Sequence, residues 1–317
     1  MRRYRSIGEL PMGGGGRAVA IGAFDGVHLG HREIIRHAVD AARRRGMPSM
    51  VITFEPNPLA VLRPELKTTV LTPSDLRARL IAAMGVDELL EIPFTRSFSH
   101  IRWDRFCEVL MQPPIGAQSI AVGRNFRFGH GGDGTAAMLR DAGRARRIEV
   151  EIPGLVTSPD GKPISSTRIR RLITQGDVEA ARVLLARPHC LEGHVEHGDG
   201  RGAGLGIPTA NIAVEGRSAI PGRGVYAGRV TIAGTSWPAA INVGVAPTFR
   251  EATDVRVEAF LIDFPGTDVY GEHATIAFLE RLRAEERFPS ADALVAQVRQ
   301  DIGRARTIAA GADEPLC

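Results

Sequence analysis

The chain has 317 residues, 44% of them hydrophobic and 24% charged, with a formal net charge of +4. Those values exclude a disordered or fibrous chain, and no apolar run reaches the ~20 residues that a membrane-spanning helix requires. The length exceeds what one hydrophobic core usually spans and predicts two domains of roughly 150 residues each.

The amino terminus, MRRYRSIGELPMGGGGR, is basic but has no apolar stretch and no small-residue cleavage site. It does not read as a secretory signal, and a cytoplasmic protein is expected. RAVAIGAF carries the small and β-branched residues of a buried strand, and HREIIRHAVDAARRRG repeats apolar residues at helical spacing up to Gly46. PSMVITF, VDELLEI and AQSIAVG read as further strands, alternating with the helices TPSDLRARLIAAMG and WDRFCEVLMQ. This alternation predicts a parallel sheet covered on both faces, with ligands at the carboxyl ends of its strands. A helical stretch follows in STRIRRLITQGDVEAARVLLAR. The pattern then changes: GVYAGRVTIAG, TSWPAAINVGV, VRVEAFLIDF and HATIAFLERL are short runs parted by Gly and Pro turns, which predicts a small antiparallel barrel. SADALVAQVRQDIGRA closes the chain as a helix with Ser290 as its N-cap. The expected domains are residues 1–186 and 187–317.

Cys107, Cys190 and Cys317 are scattered and odd in number, which argues against a disulfide framework or a zinc knuckle and predicts two core thiols and a frayed tail. Lys67 and Lys162 are the only lysines; arginine grips phosphate and carboxylate with a planar fork, but a coding bias is the favoured reading of this usage. The basic excess is small, the arginines are dispersed and aromatic residues form only 5% of the chain, so neither a nucleic-acid nor a membrane partner is expected. His189, His194, His197 and His273 read as ordinary core or surface histidines. His194 and His197, three apart in a strand, face opposite sides and make a poor metal pair.

Two segments carry the first candidate site. In GAFDGVHLGH, Gly22 and Gly26 allow close backbone approach to a ligand, and the helix beginning near His28 turns unpaired N–H groups and its positive dipole end toward the same space. His28 and His31 lie on one helical face, and no third ligand completes a zinc site, so a phosphate cradle is favoured over a metal centre or a turn with two solvated histidines. ISSTRIR sets three hydroxyls and two arginines at a helix start, where capping accounts for one hydroxyl but not the cluster.

Together these segments resemble the bifunctional riboflavin kinase and FAD synthetase family of bacteria. The resemblance implies a HIGH-type, Rossmann-like α/β nucleotidyltransferase domain followed by an antiparallel six-stranded β-barrel riboflavin kinase domain with a C-terminal helix. It implies that Gly22, Phe24, Asp25 and Gly26 shape the ATP turn, that His28 and His31 contact and neutralise the ATP phosphates, and that Ser165, Ser166, Thr167 and Arg168 form a second phosphate clamp. FEPNP and VGRNFRFGHG match the family's flavin side, pointing to Asn57, Asn125 and Phe126, although Asn57 stands where a histidine is common. The second half matches through GRGAGLGIPTANI, INVGVAPTF, VEAFLIDF, VYG and LRAEERF. There the resemblance implies a Gly202 and Gly206 flap, Thr209 and Asn211 as ligands of Mg²⁺ and ATP phosphate, Glu258 as base for the riboflavin 5′-hydroxyl, and Arg283 and Glu285 near the flavin. Ala203 replaces a common flap cation and Phe260 a common histidine, which implies weaker ATP binding more than lost activity.

The expected substrates are ATP, riboflavin and FMN, with FAD as product and Mg²⁺ as cofactor; a homo-oligomer is compatible with the sequence. Two other readings compete at this point. A lone HIGH-type nucleotidyltransferase acting on another phosphorylated metabolite accounts for the first half only, and a flavin- or nucleic-acid-binding regulator would leave the phosphate motifs as relics.

Overall fold

The structure, a computed structural model, describes residues 1–12, 15–197, 207–245, 255–312 and 317. The chain divides into two compact units, Met1–Val70 with Ser74–Ser165, and Leu71–Pro73 with Ser166–Cys317.

The first unit runs β1 (Arg2–Tyr4), β2 (Arg17–Ile21), α1 (Leu29–Arg45), β3 (Ser49–Glu55), α2 (Pro58–Leu62), α3 (Ser74–Ala82), β4 (Glu88–Pro93), α4 (Trp103–Met111), β5 (Ala117–Val122), a hairpin of β6 (Arg127–Phe128) and β7 (Gly134–Thr135), α5 (Ala136–Arg144) and β8 (Glu149–Glu151). The larger strands form a six-stranded sheet in the order β1-β4-β3-β2-β5-β8, parallel throughout. Its strands bury both faces, as a covered parallel sheet must. Val19, Ile21, Met50, Ile52, Leu90, Ile120 and Val122 pack with α4 and α5. Ala20, Val51, Leu89 and Ala121 pack on the other side with α1 and α3. Residues alternate between the two cores because strand side chains alternate between faces.

A buried ion pair locks the amino ends of the strands. Arg17, 2% exposed, donates from Nε to Glu88 Oε2 at 2.5 Å, and Glu88 is 1% exposed. Because β3 lies between β2 and β4, the pair spans the lower edge of the sheet. Arg17 Nη1 also donates to the carbonyls of Pro114 and Ile115 at 2.7 and 2.9 Å, which fixes the approach to β5. Arg2 meets the second Glu88 oxygen at 2.8 Å and so ties down β1.

The second unit runs α6 (Ser166–Gln175), α7 (Val178–Leu185), β9 (His189–Glu196), β10 (Ala210–Val214), β11 (Gly224–Ile232), β12 (Thr235–Val245), β13 (Val255–Leu261), β14 (His273–Arg283) and α8 (Ala291–Ala310). The strands close into a barrel in the order β10-β13-β12-β11-β14-β9. Ser290 caps α8, its side chain accepting from Ala293 N. The predicted single helical stretch is two helices, broken where Gly176 takes φ +81° and Asp177 caps α7 by accepting from Ala180 N.

The cysteine expectation fails. Cys190 is not a core thiol and Cys317 is not a free tail, because the two are joined by a disulfide across 127 residues. Short-spacing rules detect local cysteine pairs, and this pair is made by the barrel bringing distant chain together. Cys107 is a buried free thiol as expected.

Removing one partner of a buried pair strands the other charge, which costs about 3–5 kcal/mol. Arg17→Met is therefore expected to lower the unfolding free energy of the first unit by up to that amount, read from urea titrations followed by Trp103 fluorescence in a Trp237→Phe background. Arg17→Met with Glu88→Leu should recover most of the loss.

Candidate active sites

In the first sheet the chain steps from β2 outward through β3 to β4, then crosses back to place β5 on the other side of β2. The carboxyl ends of β2 and β5 thus flank a topological switch point, the place where open parallel sheets bind ligands. GAFDGVH follows β2 there and GRNFRFGH follows β5.

The turn after β2 is strained. Phe24, Gly26 and Val27 take φ of +48°, +96° and +42°. Only the glycine adopts such angles freely, yet Phe24 and Val27 are both fully buried. Gly22 carries the Phe24 ring so closely that a Cβ there would lie 3.1 Å from it. Asp25 is buried within the same turn. His28 is the N-cap of α1, its Nδ1 accepting from the His31 N–H at 3.3 Å. The ring lies across Gly30, where a Cβ would sit 3.2 Å from His28 Cε1. It also stacks on the His31 ring at 3.6 Å between centroids, and Phe24 meets His31 edge-on at 5.4 Å.

That bond fixes the tautomer: with Nδ1 accepting, Nε2 carries the proton and is the donor. Burial pushes the His28 pKa down to about 4, so at neutral pH the ring is uncharged. Neutralisation of phosphate by a charged His28 is therefore not what the free protein is set up for. It offers an N–H donor beside the positive end of a helix.

Ile164, in the same unit, has its carbonyl 4.0 Å from the position a Gly30 Cβ would take. Ser165 is exposed and ends the first unit. Ser166, Thr167 and Arg168 open α6 in the second unit. Among the residues expected on a flavin side, Asn57 spends its Oδ1 capping α2, accepting from Leu59 N at 3.0 Å. Glu55, ending β3 just before it, is gripped by the buried Arg77 at 2.7 Å. Asn125 is exposed at the tip of the turn after β5, closed by Phe126 N donating to Gly123 O. Phe126 stacks on Phe128 at 5.5 Å and packs against the core.

The second unit holds a cavity of about 430 Å³ whose lining includes Thr209, Asn242, Glu258, Arg283, Glu285 and Phe288. Strand register builds it. Asn211 pairs with Glu258 across β10 and β13, and Asn242 pairs with Glu258 across β12 and β13, so one row crosses three strands on a single face. Glu285 reaches over the same row, its carboxylate filling the space where Gly244 lacks a side chain. Thr209 and Phe260 also line a second cavity of about 470 Å³ with Pro208, Asp263, Asp268 and Tyr270. The predicted Gly202 and Gly206, and the departure at Ala203, lie outside the described residues.

Arg283 is committed elsewhere than to open space. Asp301 of α8, 1% exposed, accepts from its Nε at 3.0 Å and meets its Nη2 at 2.9 Å, while Gln297 holds the other Asp301 oxygen at 3.1 Å. Phe288 covers the guanidinium with its ring centroid 5.4 Å away. Asn242, Phe288 and Asp301 escaped sequence reasoning. Asn242 could have been found from its place in INVGV opposite VEAFL, whereas Asp301 reads as one more polar residue of a helix.

A family model described as FAD synthetase matches residues 13–168, and one described as riboflavin kinase matches residues 185–309. A bifunctional riboflavin kinase/FMN adenylyltransferase from Pseudomonas fluorescens is 34% identical over 98% of both chains. The protein of that name from Escherichia coli K12 is 34% identical over 95% of both. A crystal structure from Streptococcus pneumoniae, described as a macrolide-efflux protein, superposes with a TM-score of 0.86 at 32% identity, covering 96% of this chain and 98% of that one. Among the described residues no helix is long and apolar enough to cross a membrane.

The depressed His28 pKa sets a pH dependence. An unfolded histidine titrates near ~6.5 and the folded one only near about 4, so between those values the unfolded state binds the extra proton. The stability this ring contributes is complete above ~6.5 and lost as pH falls toward 4. Urea midpoints of the wild type should fall between pH 6.5 and 5 more steeply than those of His28→Gln. In ¹⁵N spectra the His28 ring should remain the neutral Nε2–H tautomer across that window.

Proposed function

The chain belongs to the family of bifunctional riboflavin kinase/FMN adenylyltransferases, and from that premise we propose how its parts divide the chemistry. The activities are phosphorylation of riboflavin by ATP to give FMN, and transfer of AMP from a second ATP to FMN to give FAD and pyrophosphate. We assign adenylyl transfer to residues 1–186 and phosphorylation to residues 187–317.

In adenylyl transfer an FMN phosphate oxygen attacks the α-phosphorus of ATP and pyrophosphate leaves. The nucleophile arrives ionised, so the site has alignment and charge stabilisation to supply, and no proton to remove. His28 Nε2–H and the first-turn amides of α1 donate to the ATP phosphates, and His31, stacked on His28, presents its ring beside it. Gly22, Phe24, Asp25 and Gly26 hold the turn, while Ser165, Ser166, Thr167 and Arg168 form the second clamp. FMN lies against the Asn57 amide, Asn125 and the Phe126 ring.

In phosphorylation the nucleophile is an alcohol, weak at neutral pH, and a carboxylate placed to accept its proton is worth roughly 10²–10⁴ in rate. Glu258 supplies it. The observation that carries this reading is the row Asn211, Glu258, Asn242, with its carboxylate in the cavity that Thr209 shares with the neighbouring one. Riboflavin occupies the first cavity, against Phe288 and Glu285, and ATP the second, so that transfer of the γ-phosphoryl happens beside Thr209. The Thr209 hydroxyl and Asn211 amide oxygen are hard donors of the kind Mg²⁺ takes together with phosphate and water, and Mg²⁺ there would offset phosphate charge. The site is proposed to act in the cytoplasm.

Purified protein given riboflavin and Mg-ATP should form FMN and then FAD, followed by chromatography. FAD appearing only when FMN is supplied would refute the kinase assignment. Glu258→Gln is expected to lower FMN formation by about 10²-fold or more while leaving FAD formation from FMN unchanged. His31→Ala should do the reverse, cutting FAD formation by roughly 10²-fold or more and sparing the kinase step.

A further inference from the structure

We propose that Cys190 and Cys317 form a thiol–disulfide clasp that closes the barrel strands and α8 into a covalent loop, so that the stability of the barrel follows the redox state of its surroundings. Cys190 lies in β9, fully buried, and its Cα is 6.2 Å from that of Cys317, within the roughly 4.4–6.8 Å that a disulfide spans. The bond joins the first strand of the barrel to the last residue of the chain. Every other barrel strand and α8 therefore fall inside the loop it closes.

The position of the tail gives the clasp its leverage. Helix α8 packs on the barrel through the buried Ala305 and Ala309, with Arg229 Nη1 donating to the Ala309 carbonyl at 3.4 Å. Further toward its start the same helix supplies Leu294, Val298 and Asp301 to the cavity of Glu258, and Asp301 holds Arg283. Constraining the chain end beyond α8 removes unfolded conformations in which the helix has left the barrel, which is how a cross-link over a long loop stabilises.

The chemistry balances with a low-molecular-weight disulfide as oxidant. One cysteine thiolate attacks the oxidant's sulfur and expels one small thiol. The other cysteine thiolate then attacks the mixed disulfide, forms the Cys190–Cys317 bond and expels the second small thiol. Two electrons pass to the oxidant, and the two thiol protons end on the small thiols. In the reverse direction entry is through Cys317, which is exposed where Cys190 is not. Cys107 does not compete, being buried in the other unit with its thiol pushed up to about 11, so little of it is the reactive thiolate.

The full-length protein, equilibrated with oxidised glutathione or with excess dithiothreitol, is denatured, alkylated and weighed, and its unfolding is followed by differential scanning. The oxidised protein should take one alkyl group, at Cys107, and the reduced protein three. Oxidation should raise the transition of the second unit by roughly 5–15 °C. Cys317→Ser changes only an exposed terminal residue and should unfold at the temperature of the reduced wild type under both conditions. Three alkylated cysteines after oxidation, glutathione held on Cys317 alone, or equal transition temperatures in the two states would each overturn the proposal. None of these readouts involves flavin turnover, so they stand or fall apart from the assignment of the two activities.

Discussion

The turn between β2 and α1 is the constraint on which the first unit depends. Within seven residues the chain must leave a strand buried on both faces, reverse at the switch point and start a helix. It does so with two bulky residues at positive φ, Phe24 and Val27, each costing about 1–3 kcal/mol of backbone strain. Burying each of those side chains returns roughly 1.5–3 kcal/mol, and both are fully buried. The two magnitudes are close, so the strained turn survives because its side chains are core residues. Loosening the core beneath it would release the helix start as well, which couples packing under the sheet to the geometry of the proposed phosphate site.

The barrel is governed by register instead of strain. Side chains alternate along a strand, so a slip of one residue would send Glu258 to the other face and break its row with Asn211 and Asn242. Antiparallel closure of all six strands holds that register from both sides. The α8 clasp acts on the same cavity from outside: Asp301 fixes Arg283, and Phe288 covers it. A guanidinium so engaged shapes the wall on which a flavin would rest, through its attachment to the C-terminal helix more than through a free charge.

Most of this architecture was readable from the chain. Period-two and helical spacing located the large strands and helices, and Gly-rich turns marked where the fold changes. Elements of two or three residues, β1, β6, β7 and β8, were not found because they are too short to show a period, and α5 also passed without a signal that stood out from its neighbours. The halves of the GAFDGVHLGH and ISSTRIR pair were legible, but not the protonation of His28, which burial and the His31 N–H decide. Asn57 shows the same limit: its motif announces a site, while the fold assigns its oxygen to capping α2. The Cys190–Cys317 bond was out of reach for any rule based on spacing, since tertiary closure alone brings the two together.

The two proposed sites differ in the one respect that their nucleophiles demand. Burial keeps the His28 ring uncharged at neutral pH, and with Nδ1 accepting from the His31 N–H it has only a donor to present. That suits an attacking phosphate, which has already lost its proton. The barrel instead places a carboxylate beside two amide side chains and a hydroxyl, an arrangement able to take a proton from an alcohol and orient what it leaves behind. A histidine kept neutral by burial on one side, and a carboxylate placed by strand register on the other, are what an ionised and an un-ionised nucleophile respectively require.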